Sequence, residues 1–205
     1  MYIVIEGMPG TGKTTLAKAL ANKLNATYMK SIFSNTEHGG KIRKILNKGL
    51  NKEVEPFYIV DLLLDELRLQ QYLRAGDVVR DKVYASSLAH LRAHGFENTE
   101  ESVTDALYGA YLELSSLSVE PDYVIYLQPV MSKVIDHLYQ KGDLSAIDIK
   151  LTSNLSLYEK QQLELENELR CKYGDKLHCL ESFFGSIDDM VKQILSDIGK
   201  EEIEQ

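Results

Sequence analysis

The sequence has few of the features that mark secreted, membrane or nucleic-acid-binding proteins. Only two cysteines occur in 205 residues, Cys171 and Cys179, and their spacing fits no metal site, so reduced thiols in a cytoplasmic protein are expected. Basic residues number 23 against 31 acidic ones, and the resulting net charge of −8 argues against a nucleic-acid partner. There is no apolar run of bilayer-spanning length and no signal peptide, so no membrane partner is expected.

One glycine-rich segment stands near the start of the chain. Residues 7–14 read Gly-Met-Pro-Gly-Thr-Gly-Lys-Thr, the G-x-x-x-x-G-K-T pattern of a phosphate-binding P-loop. Glycines let the loop amides surround phosphate oxygens at the N-terminus of the next helix. Lys13 is placed to reach the β- and γ-phosphates of ATP, and the Thr14 hydroxyl to ligate Mg²⁺. The expected nucleotide-binding residues are Gly7, Met8, Pro9, Gly10, Thr11, Gly12, Lys13, Thr14 and Thr15.

The flanks of this loop have the strand and the helix that the motif requires. Residues 2–5 are apolar and largely β-branched, which is typical of a buried strand. Apolar residues between Leu16 and Leu24 recur at helical spacing. A glycine turn with no ligand is the alternative interpretation, and this context disfavours it.

Strand-like segments alternate with helical segments along the whole chain. The alternation predicts an α/β fold in which a parallel sheet carries helices on both faces. Ligands of such sheets bind at the carboxyl ends of the strands, where the P-loop lies. The expected strands are residues 2–5, 27–33, 77–81, 123–127 and 177–184.

Asp81 ends the third expected strand and is the candidate partner of the P-loop. A carboxylate in this position can hold Mg²⁺, usually through water, or accept a proton from the acceptor hydroxyl. The alternative is a carboxylate that only caps the following helix.

Residues 81–90, Asp-Lys-Val-Tyr-Ala-Ser-Ser-Leu-Ala-His, resemble the D-R-Y-x-x-S-S-x-A-Y motif of the thymidylate kinase family. The P-loop also opens with I-E-G, as it does in that family. Residues 39–43 are similar to its G-E-x-I-R segment, 121–127 to P-D-L-x-x-Y-L-D, and 182–190 to its last strand, loop and helix. The resemblance therefore covers nearly the whole chain in order.

This resemblance implies a P-loop NTPase three-layer fold with a five-stranded sheet in the order 2-3-1-4-5. It implies one kinase domain over residues 1–205, a lid at about 142–151 and a homodimer. It also implies that ATP and Mg²⁺ act on a nucleoside monophosphate, a small-molecule phosphate acceptor.

The same resemblance suggests the residues that serve the acceptor. Catalytic roles fall to Lys13, Asp81 and Lys82, and Thr14 and Asp81 organise the metal. Acceptor binding falls to Lys82, Arg43, Ser86 and Tyr58. Tyr58 matches the family phenylalanine that stacks on the base, although packing of an apolar helix face explains it equally well.

Several departures from the family pattern concern arginine. Lys82 replaces the arginine of the D-R pair, Leu62 replaces a substrate-gripping arginine, and His137 replaces the arginine before the lid. The T-R-E-P motif and the lid arginines are missing as well. Lysine keeps the charge but lacks the bidentate fork that suits phosphate. Two alternatives therefore stay open: a deoxynucleoside or other small-molecule kinase, and a degenerate nucleotide-binding module with little catalysis.

Overall fold

The computed structural model describes residues 1–30, 39–41, 44, 55–94, 101–140, 153–183 and 185–200. The strands and helices follow one another in the alternation expected from the sequence. They are β1 (Tyr2–Gly7), α1 (Lys13–Leu24), β2 (Thr27–Lys30), α2 (Glu55–Ala75), β3 (Val78–Asp81), α3 (Ala85–His94), α4 (Glu101–Leu117), β4 (Tyr123–Gln128), α5 (Met131–Gln140), α6 (Leu155–Tyr173), a short 3-10 helix (Gly174–Lys176), β5 (Leu177–Glu181) and α7 (Ile187–Asp197).

The described strands form one parallel sheet in the order β2-β3-β1-β4-β5. The expected order is confirmed. β1 lies in the centre, and all of its residues are buried because helices cover both faces of the sheet. β1 pairs with β3 on one side and with β4 on the other, and the chain crosses from one side of β1 to the other between β3 and β4. A crevice therefore opens beyond the carboxyl end of β1.

The two faces of the sheet carry two separate cores. Side chains of a strand alternate between faces, so Ile3 and Ile5 pack against α1 and α7. Tyr2 and Val4 point to the other face, where α2, α3, α4, α5 and α6 cover the sheet. Residue 80 of β3 shares the face of Val4, and Asp81 shares the face of Ile5.

The last strand is shorter than the sequence predicted. The Ser182 amide still donates to the Gln128 carbonyl at 2.7 Å, but Phe183 adopts a left-handed backbone with φ of 60°. The expectation that β5 reaches Phe184 was wrong, because this turn ends the pairing at Glu181. Ser186 and Asp189 make a capping box at the start of α7.

The second strand is described as far as Lys30, and the expected continuation to residue 33 lies outside the described residues. In the described parts of the chain, no helix has both the length and the apolar character needed to cross a membrane.

Candidate active site

The P-loop joins the carboxyl end of β1 to the N-terminus of α1. Gly12 caps α1 with a left-handed backbone at φ 86°, and Gly10 is left-handed at φ 84°. A β-carbon at Gly10 would lie 2.8 Å from Leu138 Cγ and 2.9 Å from Val134 Cγ1. Helix α5 thus packs directly on the loop, and position 10 requires glycine for both its backbone and its space.

Within the loop, the Met8 carbonyl oxygen accepts hydrogen bonds from two residues. The Thr11 hydroxyl donates to it at 2.9 Å and the Lys13 ammonium at 2.8 Å. Lys13 therefore lies folded back across the loop. Its ammonium therefore belongs to the same loop whose amides would bind a phosphate.

Three amides of the loop have no acceptor within the described protein and can donate to an anion. Within the described residues, no protein group accepts a hydrogen bond from the amides of Gly10, Gly12 or Thr14. The amides at the start of a helix have no intrahelical acceptor, and the helix dipole adds positive potential at the same point. This arrangement is a phosphate-binding nest.

Asp81 lies against the start of α1, as its place at the end of β3 led us to expect. The Thr14 hydroxyl donates to Asp81 Oδ2 at 2.5 Å, and the Tyr28 hydroxyl approaches the same oxygen at 3.5 Å. Burial and the Asp81 charge raise the pKa of Tyr28, so its hydroxyl remains a donor. Both hydroxyls use one carboxylate oxygen, and Asp81 itself is buried.

The Thr14 and Asp81 side chains fit a magnesium ion. Both supply oxygen, the ligand that Mg²⁺ prefers, and Mg²⁺ commonly takes one or two protein ligands together with phosphate oxygens. No group of three or more His, Cys, Asp or Glu side chains in the described residues could hold a metal without a nucleotide. The pair therefore suits a cation shared with bound phosphates.

Glu6, just before the loop, is a fully buried carboxylate with three donors. The Val83 amide donates to Oε1 at 2.8 Å, and the Ser86 hydroxyl donates to Oε2 at 2.5 Å. The Gly7 amide also reaches Oε2, at 3.3 Å. Burial raises the pKa of Glu6, and these hydrogen bonds oppose the rise. The hydroxyl of Ser86, a predicted acceptor-binding residue, is thus directed at Glu6.

Lys82 and Arg80 have different surroundings although one residue separates them. In the described residues, nothing forms a hydrogen bond or salt bridge with the Lys82 ammonium. Arg80 is fully buried, and its Nη1 donates to Glu66 and, at 3.4 Å, to the Tyr2 hydroxyl. Arg80 therefore joins α2 to the sheet and does not replace a missing phosphate-binding arginine.

Two side chains that the sequence did not single out reach the P-loop from later elements. Tyr158 of α6 is buried, and its hydroxyl donates to the Pro9 carbonyl at 3.1 Å. Phe183 follows β5 and lies 3.7 Å from the position of a β-carbon at Gly12. His137, the residue in place of a family arginine, lies with its ring centroid 5.2 Å from that of Phe183.

Some predicted site residues lie outside what the structure describes. Arg43 and the expected lid at 142–151 are among these residues, and so is the side chain of Tyr58, although its backbone belongs to α2. Their proposed roles remain predictions.

The phosphate-binding nest, the Thr14–Asp81 pair and the 2-3-1-4-5 sheet together define a P-loop kinase. The particular family follows from sequence: the chain belongs to the thymidylate kinase family, whose sequence profile matches residues 5–173. The protein is therefore a phosphotransferase of the nucleoside monophosphate kinase type.

Individual relatives support the same placement. The chain is 27% identical over 174 residues to the thymidylate kinase of Xylella fastidiosa (strain 9a5c), covering 81% of this chain and 78% of that one. It superposes on the thymidylate kinase of Candida albicans with a TM-score of 0.76 at 18% identity, over 98% of this chain and 93% of that one. The deoxyadenosine kinase of M. mycoides with bound dATP gives a TM-score of 0.74 at 15% identity, over 97% and 100%. The two solved structures establish a shared fold.

Proposed function

We propose that this protein transfers the γ-phosphoryl group of ATP to a nucleoside monophosphate, with thymidine monophosphate as its preferred acceptor. Membership of the thymidylate kinase family supports the choice of acceptor. The 2.5 Å hydrogen bond between Thr14 and Asp81 carries the proposal. It brings the P-loop, which would bind the phosphates, next to the carboxylate that would help to hold Mg²⁺, and phosphoryl transfer needs both.

On the donor side, the chain supplies charge and fixed amides. The amides of the P-loop hold the phosphates, and Lys13 stabilises the negative charge of the transferring group. Thr14 and Asp81 would hold Mg²⁺, which when bound neutralises charge between the β- and γ-phosphates. Asp81 is also an acceptor for the proton of the attacking oxygen.

On the acceptor side, the proposed residues are Lys82, Ser86, Arg43 and Tyr58. Lys82 offers an ammonium without a salt-bridge partner in the described residues, as an anionic acceptor requires. A monophosphate carries nearly two negative charges, and point charges hold it less well than the forks of arginine. Acceptor affinity is therefore expected to be weak relative to arginine-rich relatives.

A nucleoside acceptor is the second candidate, and the substitution of Lys82 for arginine is the observation that favours it. A deoxyadenosine kinase shares this fold, so the fold leaves the choice of acceptor open. The two candidates differ in the added acceptor that stimulates ATP consumption.

The proposal extends to the setting of the enzyme. We infer one kinase domain over residues 1–205, a lid at about 142–151 that excludes water, and a cytoplasmic location in which both free thiols stay reduced. We also infer a homodimer. Exposed apolar side chains on α2 support it, among them Val60 at 48%, Leu64 at 39% and Leu67 at 59% exposure.

Replacement of Lys13 tests the donor side. Lys13→Ala should lower acceptor-dependent ATP turnover by about 10²- to 10³-fold, because the lysine stabilises charge that develops in the transition state. Lys23→Ala, in the last turn of the same helix, is the matched control and should keep its turnover. Thermal unfolding of both variants checks that the fold is intact. Near-normal turnover in the Lys13 variant would refute the donor-site assignment.

A further inference from the structure

Glu6 is a buried carboxylate to which the proposed reaction gives no direct part. It is 0% exposed and lies at the end of β1, directly before the P-loop. Burying a carboxylate carries a large desolvation penalty that an apolar residue would avoid. Such a residue needs a compensating role, and its hydrogen bonds indicate which one.

Those hydrogen bonds hold a short segment, residues 82–86, that leads from β3 into α3. The Lys82 amide donates to the Ile5 carbonyl at 3.0 Å, and the next amide, of Val83, donates to Glu6 at 2.8 Å. The Ser86 hydroxyl donates to the other oxygen of Glu6 at 2.5 Å. Two consecutive residues of β1 therefore hold both ends of the 82–86 segment.

The backbone inside this segment is strained. Lys82 adopts φ of 74°, a left-handed conformation that residues with a side chain rarely take. Such a conformation persists only where the surroundings hold it in place, and it is common at functional sites. The amides on either side of the Lys82 α-carbon, those of Lys82 and Val83, are bonded to Ile5 and Glu6. These two bonds are therefore the restraint that maintains the left-handed conformation.

The charge of Glu6 links the two sides of the site. Lys82 and Lys13 both act electrostatically on the Glu6 carboxylate and lower its pKa, against the rise caused by burial. Lys13 belongs to the donor side and Lys82 to the acceptor side. The carboxylate is therefore coupled electrostatically to the cations of both sides.

We propose that Glu6 is a positioning residue that fixes the 82–86 segment, and with it the Lys82 ammonium, against the P-loop. Ser86 then contributes to acceptor binding through its bond to Glu6 and not by touching the acceptor. This inference rests on the proposed function, because it assigns Lys82 to the acceptor.

A double-mutant cycle tests the inference. The variants are Ser86→Ala, Glu6→Gln and the double variant, with Ser86→Thr to retain the hydroxyl and Ser87→Ala as the matched neighbour. Ser86→Ala and Glu6→Gln should each raise the KM for thymidine monophosphate about tenfold, because each weakens a charge-assisted hydrogen bond. The Kd for ATP, measured by calorimetry without acceptor, should change less than about twofold. Ser86→Thr and Ser87→Ala should keep KM close to the unmodified value.

The double variant separates the two roles of Ser86. If Ser86 acts through Glu6, the KM of the double variant should not exceed the higher of the two single-variant KM values, because both substitutions break the same hydrogen bond. Losses that multiply to about a hundredfold would show that Ser86 acts independently of Glu6 and would overturn the inference. An unchanged KM in Ser86→Ala would overturn it as well, and this variant decides the matter if Glu6→Gln fails to fold.

Amide hydrogen exchange provides a readout that needs no acceptor. Exchange at the Val83 amide of the unliganded protein should accelerate about tenfold in Ser86→Ala and Glu6→Gln, and not in Ser86→Thr. Unaccelerated exchange in these variants would overturn the inference. An unmodified protein that transfers phosphate to no acceptor would refute the proposed function, and the exchange rates would still decide the role of Glu6.

Discussion

Replacing Arg80 by methionine should destabilise the protein while leaving phosphoryl transfer in place. Arg80 is 0% exposed, and its partner Glu66 and its neighbour Asp65 are also buried. Burial opposes the charge of Arg80, but Tyr2 and Glu66 outweigh it and hold the Arg80 pKa above its ordinary value. Removing the cation would leave the Glu66 carboxylate buried without its partner.

The magnitude follows from that uncompensated charge. Breaking a buried ion pair from one side costs about 3–5 kcal/mol, which is a large part of a typical total stability of about 5–15 kcal/mol. For a chain of 205 residues this corresponds to a drop in Tm of about 10 °C.

The double variant Arg80→Met/Glu66→Leu should recover about 2 kcal/mol of the loss. Arg80 is only partly satisfied, since its Nε and Nη2 find no hydrogen-bond acceptor in the described residues. An apolar pair can therefore replace it at moderate cost. The Tyr2 hydroxyl and the Val119 amide each lose a partner, which accounts for the remaining deficit.

Denaturant unfolding of the two single variants and the double variant measures this coupling, with turnover assayed alongside. Losses that simply add would refute the ion-pair argument. A fall in turnover by 10³-fold in the folded double variant would show that Arg80 serves phosphoryl transfer, as an arginine finger does.

Substitutions at Asp81, Gly10 and Glu6 test the metal pair, the packing of the loop and the buried carboxylate. Asp81→Asn should raise the Mg²⁺ concentration for half-maximal turnover about tenfold and leave metal-free ATP binding unchanged; an unaltered Mg²⁺ titration would reduce Asp81 to a structural role. Gly10→Ala should lower the free energy of unfolding by about 2–4 kcal/mol, because the new methyl group would collide with α5. Gly109→Ala, in open space on α4, is the control and should raise it by about 0.5–1 kcal/mol. Equal effects of the two substitutions would contradict the packing of α5 on the loop. Because burial raises the pKa of Glu6, protonation of this carboxyl stabilises the fold below its ordinary, unfolded pKa, and that stabilisation is lost as pH rises through its folded pKa. The free energy of unfolding of Glu6→Gln, relative to that of the unmodified protein, should therefore be higher at pH 7 than at pH 4. A difference that does not change with pH would contradict the burial argument.

The sequence predicted the parts of the site that depend on local pattern. A glycine spacing, an apolar strand before it and a helical face after it specify the P-loop without any distant contact. The alternation of elements then places Asp81 beside Thr14, because parallel strands end at one edge of the sheet.

The residues that the sequence missed act through contacts made only by folding. Tyr158 reaches Pro9 across 149 positions of the chain, and nothing in the charged pattern of α6 marks it. Tyr28 looked like an ordinary strand residue. Strand alternation puts it on the face of the sheet that α1 covers, and this position could have indicated its contact with Asp81. Nothing in the local sequence marks Arg80 as structural, and only its neighbours Asp65 and Glu66 on α2 reveal a buried ion pair.

The most direct test of the proposed function follows the labelled γ-phosphate of ATP into product. Purified protein with Mg²⁺ is given thymidine monophosphate or thymidine, and the labelled products are separated by chromatography. We predict label in thymidine diphosphate, with a KM for the monophosphate above that of arginine-rich relatives and little label from thymidine. Label in thymidine monophosphate made from thymidine, with none in the diphosphate, would contradict the proposal and identify a nucleoside kinase.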